Sequence, residues 1–126
     1  MKAVFKSAKP YADDALNLPV KDLELAIPYY EHTLGFRVIA RHTSPHPRAV
    51  LARDSVEIGL AENGGDPTQE GCFFEVDNVD AANAEINGST AHPDAIKLHQ
   101  FHDRRYRAFF VVAPDGLCYM IAQFAG

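Results

Sequence analysis

The stretch 15–36, ALNLPVKDLELAIPYYEHTLGF, decides the fold. Its first six residues, ALNLPV (15–20), read as a short strand. Lys21-Asp22 break that strand. Asp22 is placed to cap a helix, because an Asp side chain accepts hydrogen bonds from the free N–H groups of a first helical turn. Leu23, Ala26, Ile27, Tyr30 and Leu34 recur at helical spacing and mark 23–34 as an amphipathic helix. Pro28 predicts a kink, since proline removes one helical hydrogen bond and crowds the turn before it. Gly35 stands where a helix ends.

Working outward, residues 1–14, with Pro10 and the pair Asp13-Asp14, read as an extended arm. FRVIARH (36–42) alternates as a strand, and TSPHP (43–47) is a loop. RAVLA (48–52) and SVEIGLA (55–61) form a hairpin around Arg53-Asp54. ENGGDPTQE (62–70) has the composition of a linker. The pattern then restarts. CFFEV (72–76) is a strand broken by Asp77-Asn78. Val79, Ala82 and Ile86 predict a helix through residue 87, closed by Gly88, with Asn83 as the polar neighbour of the stripe. Residues 89–103 read as irregular and hold three of the six histidines. RAFFVVA (107–113), Pro114-Asp115 and GLCYMIAQF (116–124) form a second hairpin.

The two halves are one repeat. Val20-Lys21-Asp22-Leu23 corresponds to Val76-Asp77-Asn78-Val79, Ala26 to Ala82, and Tyr30 to Ile86. The turns Arg53-Asp54-Ser55 and Pro114-Asp115-Gly116 also match. The expected fold is α+β: a single domain over 1–126, made of two β-α-β-β-β modules at 15–61 and 71–124. One helix covers one face of each sheet and leaves the other open. That open face must be buried against something. Two halves side by side curl their open faces into a trough.

The chain has 126 residues, 47% of them apolar and 23% charged, with a net charge of −5. This is an ordinary globular composition. The Arg104, Arg105, Arg107 cluster is the only dense basic run, too little for a phosphate track, so no nucleic-acid partner is expected. The segment MKAVFKSAKPYADD lacks a signal peptide's apolar core. No apolar run reaches the length of a membrane span. Cys72 and Cys118 sit in apolar runs without disulfide or CxxC spacing, which suits a reducing cytoplasm.

LPVKDLELAIPYYEHTLGF resembles the opening signature of the vicinal oxygen chelate superfamily, the glyoxalase, bleomycin-resistance and extradiol-dioxygenase relatives. FEVDNVDAANAEI and FFVVAPDGLCYMI resemble its second-half signatures. The likeness spans residues 15–124 and is strongest to the bleomycin-resistance branch. It implies paired β-α-β-β-β modules around a cleft, and a homodimer. In metal-dependent relatives a His, Glu or Gln ligand lies near the start of the first strand and on the last strand of each module. The matching positions here are Ala15, Gly59, Gly71 and Met120. None offers a ligand for a hard or borderline cation. Glu57 shares a strand face with Gly59 but is one carboxylate. His99 and His102 are three apart with no carboxylate spaced to join them, and His32, His42, His46 and His92 have no partner by spacing. No metal and no other cofactor is expected.

On the face assigned by the resemblance, Asn17 shares strand one with Ala15 and Pro19, while Phe73 and Glu75 share the second-half strand with Gly71. With two-residue turns, Val50 stands opposite Glu57, Arg107 opposite Ala122, Phe109 opposite Met120, and Val111 opposite Cys118. The expected ligand trough is lined by Phe73, Phe109, Cys118 and Met120, with Asn17, Glu57, Glu75 and Arg107 as polar points. A plainer reading stands beside each. Phe73 and Phe109 read equally as closed core, and Glu57 and Arg107 as a cross-sheet pair. Glu75 either faces water or meets a cation such as Arg107, because a lone buried carboxylate is expensive. No nucleophile–base arrangement is visible.

Two functions are compatible with these residues. In the first, the chain binds a small molecule in a metal-free cleft, as in antibiotic sequestration, and its acidic charge suits a cationic ligand. In the second, it is a metal-dependent lyase, isomerase or dioxygenase of the same superfamily. The absent ligands favour the first.

Overall fold

Asp22 opens the first helix. In the computed structural model, which describes residues 3–10 and 15–125, its carboxylate accepts from the backbone N–H groups of Glu24 and Leu25. Helix α1 runs Leu23–His32 and buries Leu23, Ala26, Ile27 and Tyr30. Pro28 sits inside it without ending it. Asn78 opens helix α2 (Val79–Asn87) in the same way, its side chain accepting from the Ala81 N–H. The buried Asn83 is satisfied: it donates to the His92 carbonyl and accepts from the Asn87 amide.

The repeat extends to a detail that no sequence pattern shows. The first N–H of α1, on Leu23, donates to the Glu62 carboxylate at 2.9 Å. The first N–H of α2, on Val79, donates to the Gln123 side-chain oxygen at 2.9 Å. In each half a side chain from the end of the last strand ties down the helix start, where unsatisfied N–H groups attract an acceptor.

The strands form two sheets. One has four: β2 (Leu18–Pro19), β3 (Arg37–His42), β4 (Arg48–Arg53) and β5 (Val56–Ala61), in spatial order β2-β5-β4-β3. The other has five: β1 (Phe5–Pro10), β6 (Gly71–Val76), β7 (Lys97–Phe101), β8 (Arg104–Val112) and β9 (Cys118–Phe124), in order β1-β6-β9-β8-β7. In both, the first strand of the module pairs parallel with the last. The fold is therefore the expected α+β arrangement of two β-α-β-β-β units.

Two segments differ from expectation. The leading arm contains a true strand, β1, paired antiparallel with β6. The stretch 89–103, expected to be irregular, contains β7, an edge strand with mostly exposed side chains, so no buried period marks it. Both add to sheet margins, where sequence patterning is weakest.

One large core joins the halves. It holds the apolar stripes of both helices, including Leu23, Ile27, Tyr30, Val79 and Ile86, and the helix-side residues of both sheets. Tyr30 on α1 and Tyr119 on β9 share a buried hydrogen bond of 2.6 Å. Phe5 on β1 packs against Phe36 from the first half and Phe74 from the second. Among the described residues no helix is long and apolar enough to cross a membrane.

Candidate functional site

The face of the five-stranded sheet away from the helices carries a second, smaller apolar cluster of Phe73, Tyr106, Ala108, Met120 and Ala122. Phe101 stacks on Phe73 with ring centroids 4.3 Å apart and planes 7° from parallel. Those residues lie on β7 and β6, with β8 and β9 between them. In a flat sheet, strands three places apart are separated by roughly 14 Å. The two side chains therefore lean toward each other across β8 and β9, and Phe73, Tyr106, Ala108 and Met120 lie buried on this far face.

The register of the second hairpin corrects the expected lining. Val112 pairs with Cys118, leaving a five-residue connection over 113–117 rather than a two-residue turn. Inside it, the Ala113 N–H donates to the Leu117 carbonyl and the Gly116 N–H to the Ala113 carbonyl. Phe109 thus stands opposite Ile121, and Arg107 opposite Gln123. A slip of one residue moves every side chain of a strand to the other face. Phe109 is 2% exposed and belongs to the helix-side core. Arg107 reaches α2 and donates to both oxygens of Asp80 at 3.1 and 3.2 Å. Neither shares the face of Phe73 and Met120.

Phe110, opposite Met120, takes the place expected for Phe109. It is 49% exposed; along the same face Val112 is 61% and Phe124 45% exposed. The His99 ring meets Phe110 edge-on at 5.1 Å, and the Arg104 guanidinium lies 5.1 Å over Phe124. A two-residue turn hides Tyr106 and Phe110 from a sequence reading, and Phe101 lies in the stretch without a period; the true turn length is the signal that places them. Cys118, half-buried, stands beside Gly71 and Val112 on this face. Glu75 pairs across with Ala122 and Ser7, and its carboxylate lies 3.6 Å from Lys6 rather than near Arg107.

Glu57 and Asn17 lie elsewhere. The first hairpin also shifts: Arg53 pairs with Val56 around Asp54-Ser55, so Glu57 stands opposite Ala52 and Val50 opposite Gly59. Glu57 is exposed on the far face of the four-stranded sheet, which shares no ladder with the five-stranded one. Asn17 lies in a separate hollow of about 380 Å³ with Pro19, His46, Asn63, Gly65 and Glu70.

The positions that hold metal in metal-dependent relatives do not fit an ion here. The Gly59 N–H donates to the Ala15 carbonyl at 2.8 Å. A Cβ on Gly59 would lie 2.1 Å from the Leu16 carbonyl oxygen, so no side chain fits there at all. Among the described residues no three His, Cys, Asp or Glu side chains are grouped to share an ion. His99 and His102 lie on β7 and in the turn after it, not on one helical turn.

Known proteins share this architecture. A sequence model described as Glyoxalase/Bleomycin resistance protein/Dioxygenase superfamily matches residues 14–117. No curated protein matches the chain. Among solved structures, a virulence protein from Salmonella typhimurium is similar at 21% identity, covering 90% of this chain and 96% of that one, with a TM-score of 0.68. The bleomycin resistance determinant encoded on transposon Tn5 is 22% identical over 91% of this chain and all of its own (100%), with a TM-score of 0.61. A bleomycin-binding protein complexed with bleomycin is 22% identical, with coverage of 89% and 98% and a TM-score of 0.60. At these identities the likeness to the solved structures is one of fold.

Proposed function

The chain belongs to the glyoxalase/bleomycin resistance protein/dioxygenase superfamily, and from that premise we propose that it is a binding protein, holding a flat, cationic small molecule on the far face of its five-stranded sheet without a metal. The observation that carries this reading is the exposed apolar row of Phe110, Val112 and Phe124 beside the buried Phe73, Tyr106 and Met120. An apolar wall with a few placed polar groups is how small-molecule sites are built. Glu75 supplies a carboxylate at the margin of that wall, and the net charge of −5 favours a cation. Similarity to a bleomycin-binding protein supports sequestration, in which the ligand is held and released unchanged.

The same face supports a homodimer. A contiguous exposed apolar surface on a single chain calls for a cover. A second copy laid over the exposed Phe110, Val112 and Phe124 leaves a cleft between the two chains. Neither Cys72 nor Cys118 forms a disulfide among the described residues, which suits a cytoplasmic location.

Calorimetric titration with bleomycin tests the binding reading. Saturable binding that Phe110→Ala weakens about ten-fold or more is expected, as for an aromatic anchor. No saturable binding, or binding indifferent to Phe110→Ala, overturns it. Sedimentation should show a dimer at micromolar concentration, and a monomer would remove the shared cleft.

A further inference from the structure

The hollow around Asn17 shares no lining residue with the aromatic face. Three segments build it: Asn17 and Pro19 around β2, His46 from the loop before β4, and Asn63, Gly65 and Glu70 from the connection to β6. Its volume of about 380 Å³ suits a small organic molecule.

Its polar groups are held in place. The Asn63 amide donates to the Asn17 backbone carbonyl at 3.0 Å and to the Asn17 side-chain oxygen at 3.1 Å. The Asn63 oxygen accepts from the Gly65 N–H at 2.9 Å. Those bonds use the Asn17 side-chain oxygen and leave its amide N–H groups for another acceptor. The Glu70 backbone is pinned at both ends, donating to the Pro67 carbonyl and accepting from the Cys118 N–H. The Glu70 carboxylate and the His46 ring are half-buried, and neither has a hydrogen bond or ion pair among the described residues. Gly65 keeps one wall low: a Cβ there would meet the Pro19 Cβ at 2.9 Å and the Asn63 oxygen at 3.1 Å.

The lining thus offers a carboxylate, an imidazole and a free amide donor, with no Lys or Arg. We propose that this hollow is a second binding site, selective for a small hydroxylated primary amine. Glu70 takes the ammonium group through a charge-assisted hydrogen bond. Asn17 and His46 take hydroxyl groups, and Pro19 forms the apolar floor. This goes beyond the aromatic-face reading and does not depend on it.

Titration of the full chain with D-glucosamine, followed through backbone amide resonances, tests the proposal, with D-glucose as the neutral counterpart. Glucosamine should give saturable shifts at His46, Asn63, Gly65 and Glu70, while glucose should not saturate. Glu70→Gln, checked for native circular dichroism, should weaken glucosamine binding about ten-fold or more. Gly65→Ala should weaken glucosamine binding by filling the hollow. Equal binding of the two sugars, an unchanged affinity in Glu70→Gln, or no saturable shift at these residues overturns the proposal. The bleomycin titration reads the other face separately, so either idea can fail alone.

Discussion

Arg53 at the end of β4 and Glu85 on α2 form a two-pronged ion pair that bridges the two modules, with Nη2 to Oε1 at 2.7 Å. The side chains are only 7% and 15% exposed. The remaining guanidinium donors are not wasted: Arg53 also donates to the carbonyls of Leu34 at 2.7 Å and Ala3 at 2.8 Å, and its charge lies 4.3 Å over the Phe5 ring. Removing Glu85 leaves the buried Arg53 with only the longer contact to the Asp54 carboxylate at 3.6 Å. Glu85→Ala should therefore destabilise the fold by about 3–5 kcal/mol, read from chemical denaturation. A change under about 1 kcal/mol, typical of an exposed pair, would show that this bridge is solvated.

Phe109 and Phe110 are neighbours with opposite duties. Phe109→Ala should lower stability by about 3–5 kcal/mol, as aromatic truncations in a closed core do. Phe110→Ala should cost clearly less and act on ligand binding instead. The reverse ranking in denaturation would mean that the hairpin register is off by one.

Tyr30 and Tyr119 should resist alkali. Burial pushes both hydroxyls well above the ordinary value of 10.0. Their folded values are raised, so the unfolded state loses these protons first. The stabilising contribution is full below about pH 10 and falls as pH climbs past it. Ultraviolet titration should show these two tyrosines ionising only together with alkaline unfolding. Burial likewise pushes the Cys72 thiol up to about 12, so it should stay unreactive toward disulfide reagents at neutral pH until the chain unfolds. Early, gradual ionisation of all tyrosines would contradict the buried pair.

Chelation should leave the protein unchanged. With the position of Gly59 closed by the Leu16 carbonyl and no donor at Ala15, Gly71 or Met120, prolonged dialysis against a strong chelator should shift neither the melting temperature nor bleomycin binding. Stoichiometric zinc, nickel, iron or manganese in the purified protein would reinstate the metal-dependent alternative.

The order of elements is readable because local chemistry declares it. Asp22 and Asn78 announce helix starts, and the stripes through Tyr30 and Ile86 announce which face is buried. Alternation within β6 and β9 alone places Phe73, Glu75, Cys118 and Met120 on one face. Phe109 and Arg107 require the turn length as well. Pro114-Asp115-Gly116 looks like a tight turn, but the connection also absorbs Ala113 and the buried Leu117. Two apolar residues with the character of strand are loop, and that reverses β8. The hollow at Asn17 is illegible for another reason: His46, Asn63 and Glu70 come from loops, whose meeting in space leaves no periodic trace.

The pairing of β1 with β6 also sets a timetable. Phe5 docks beside Val76, so the earliest strand to be synthesised must wait for residues made much later. At about 5–20 residues per second on the ribosome, that is a delay of several seconds. The entropy of closing so long a loop rises only slowly with its length, by about 0.6 kcal/mol per doubling, so waiting time, more than closure, limits this step. Through that interval the Phe5 ring lacks Phe74, leaving only Phe36 and Arg53 of these neighbours already made. Lys6 and Lys9, charges flanking it on the waiting strand, oppose its pairing with the wrong edge.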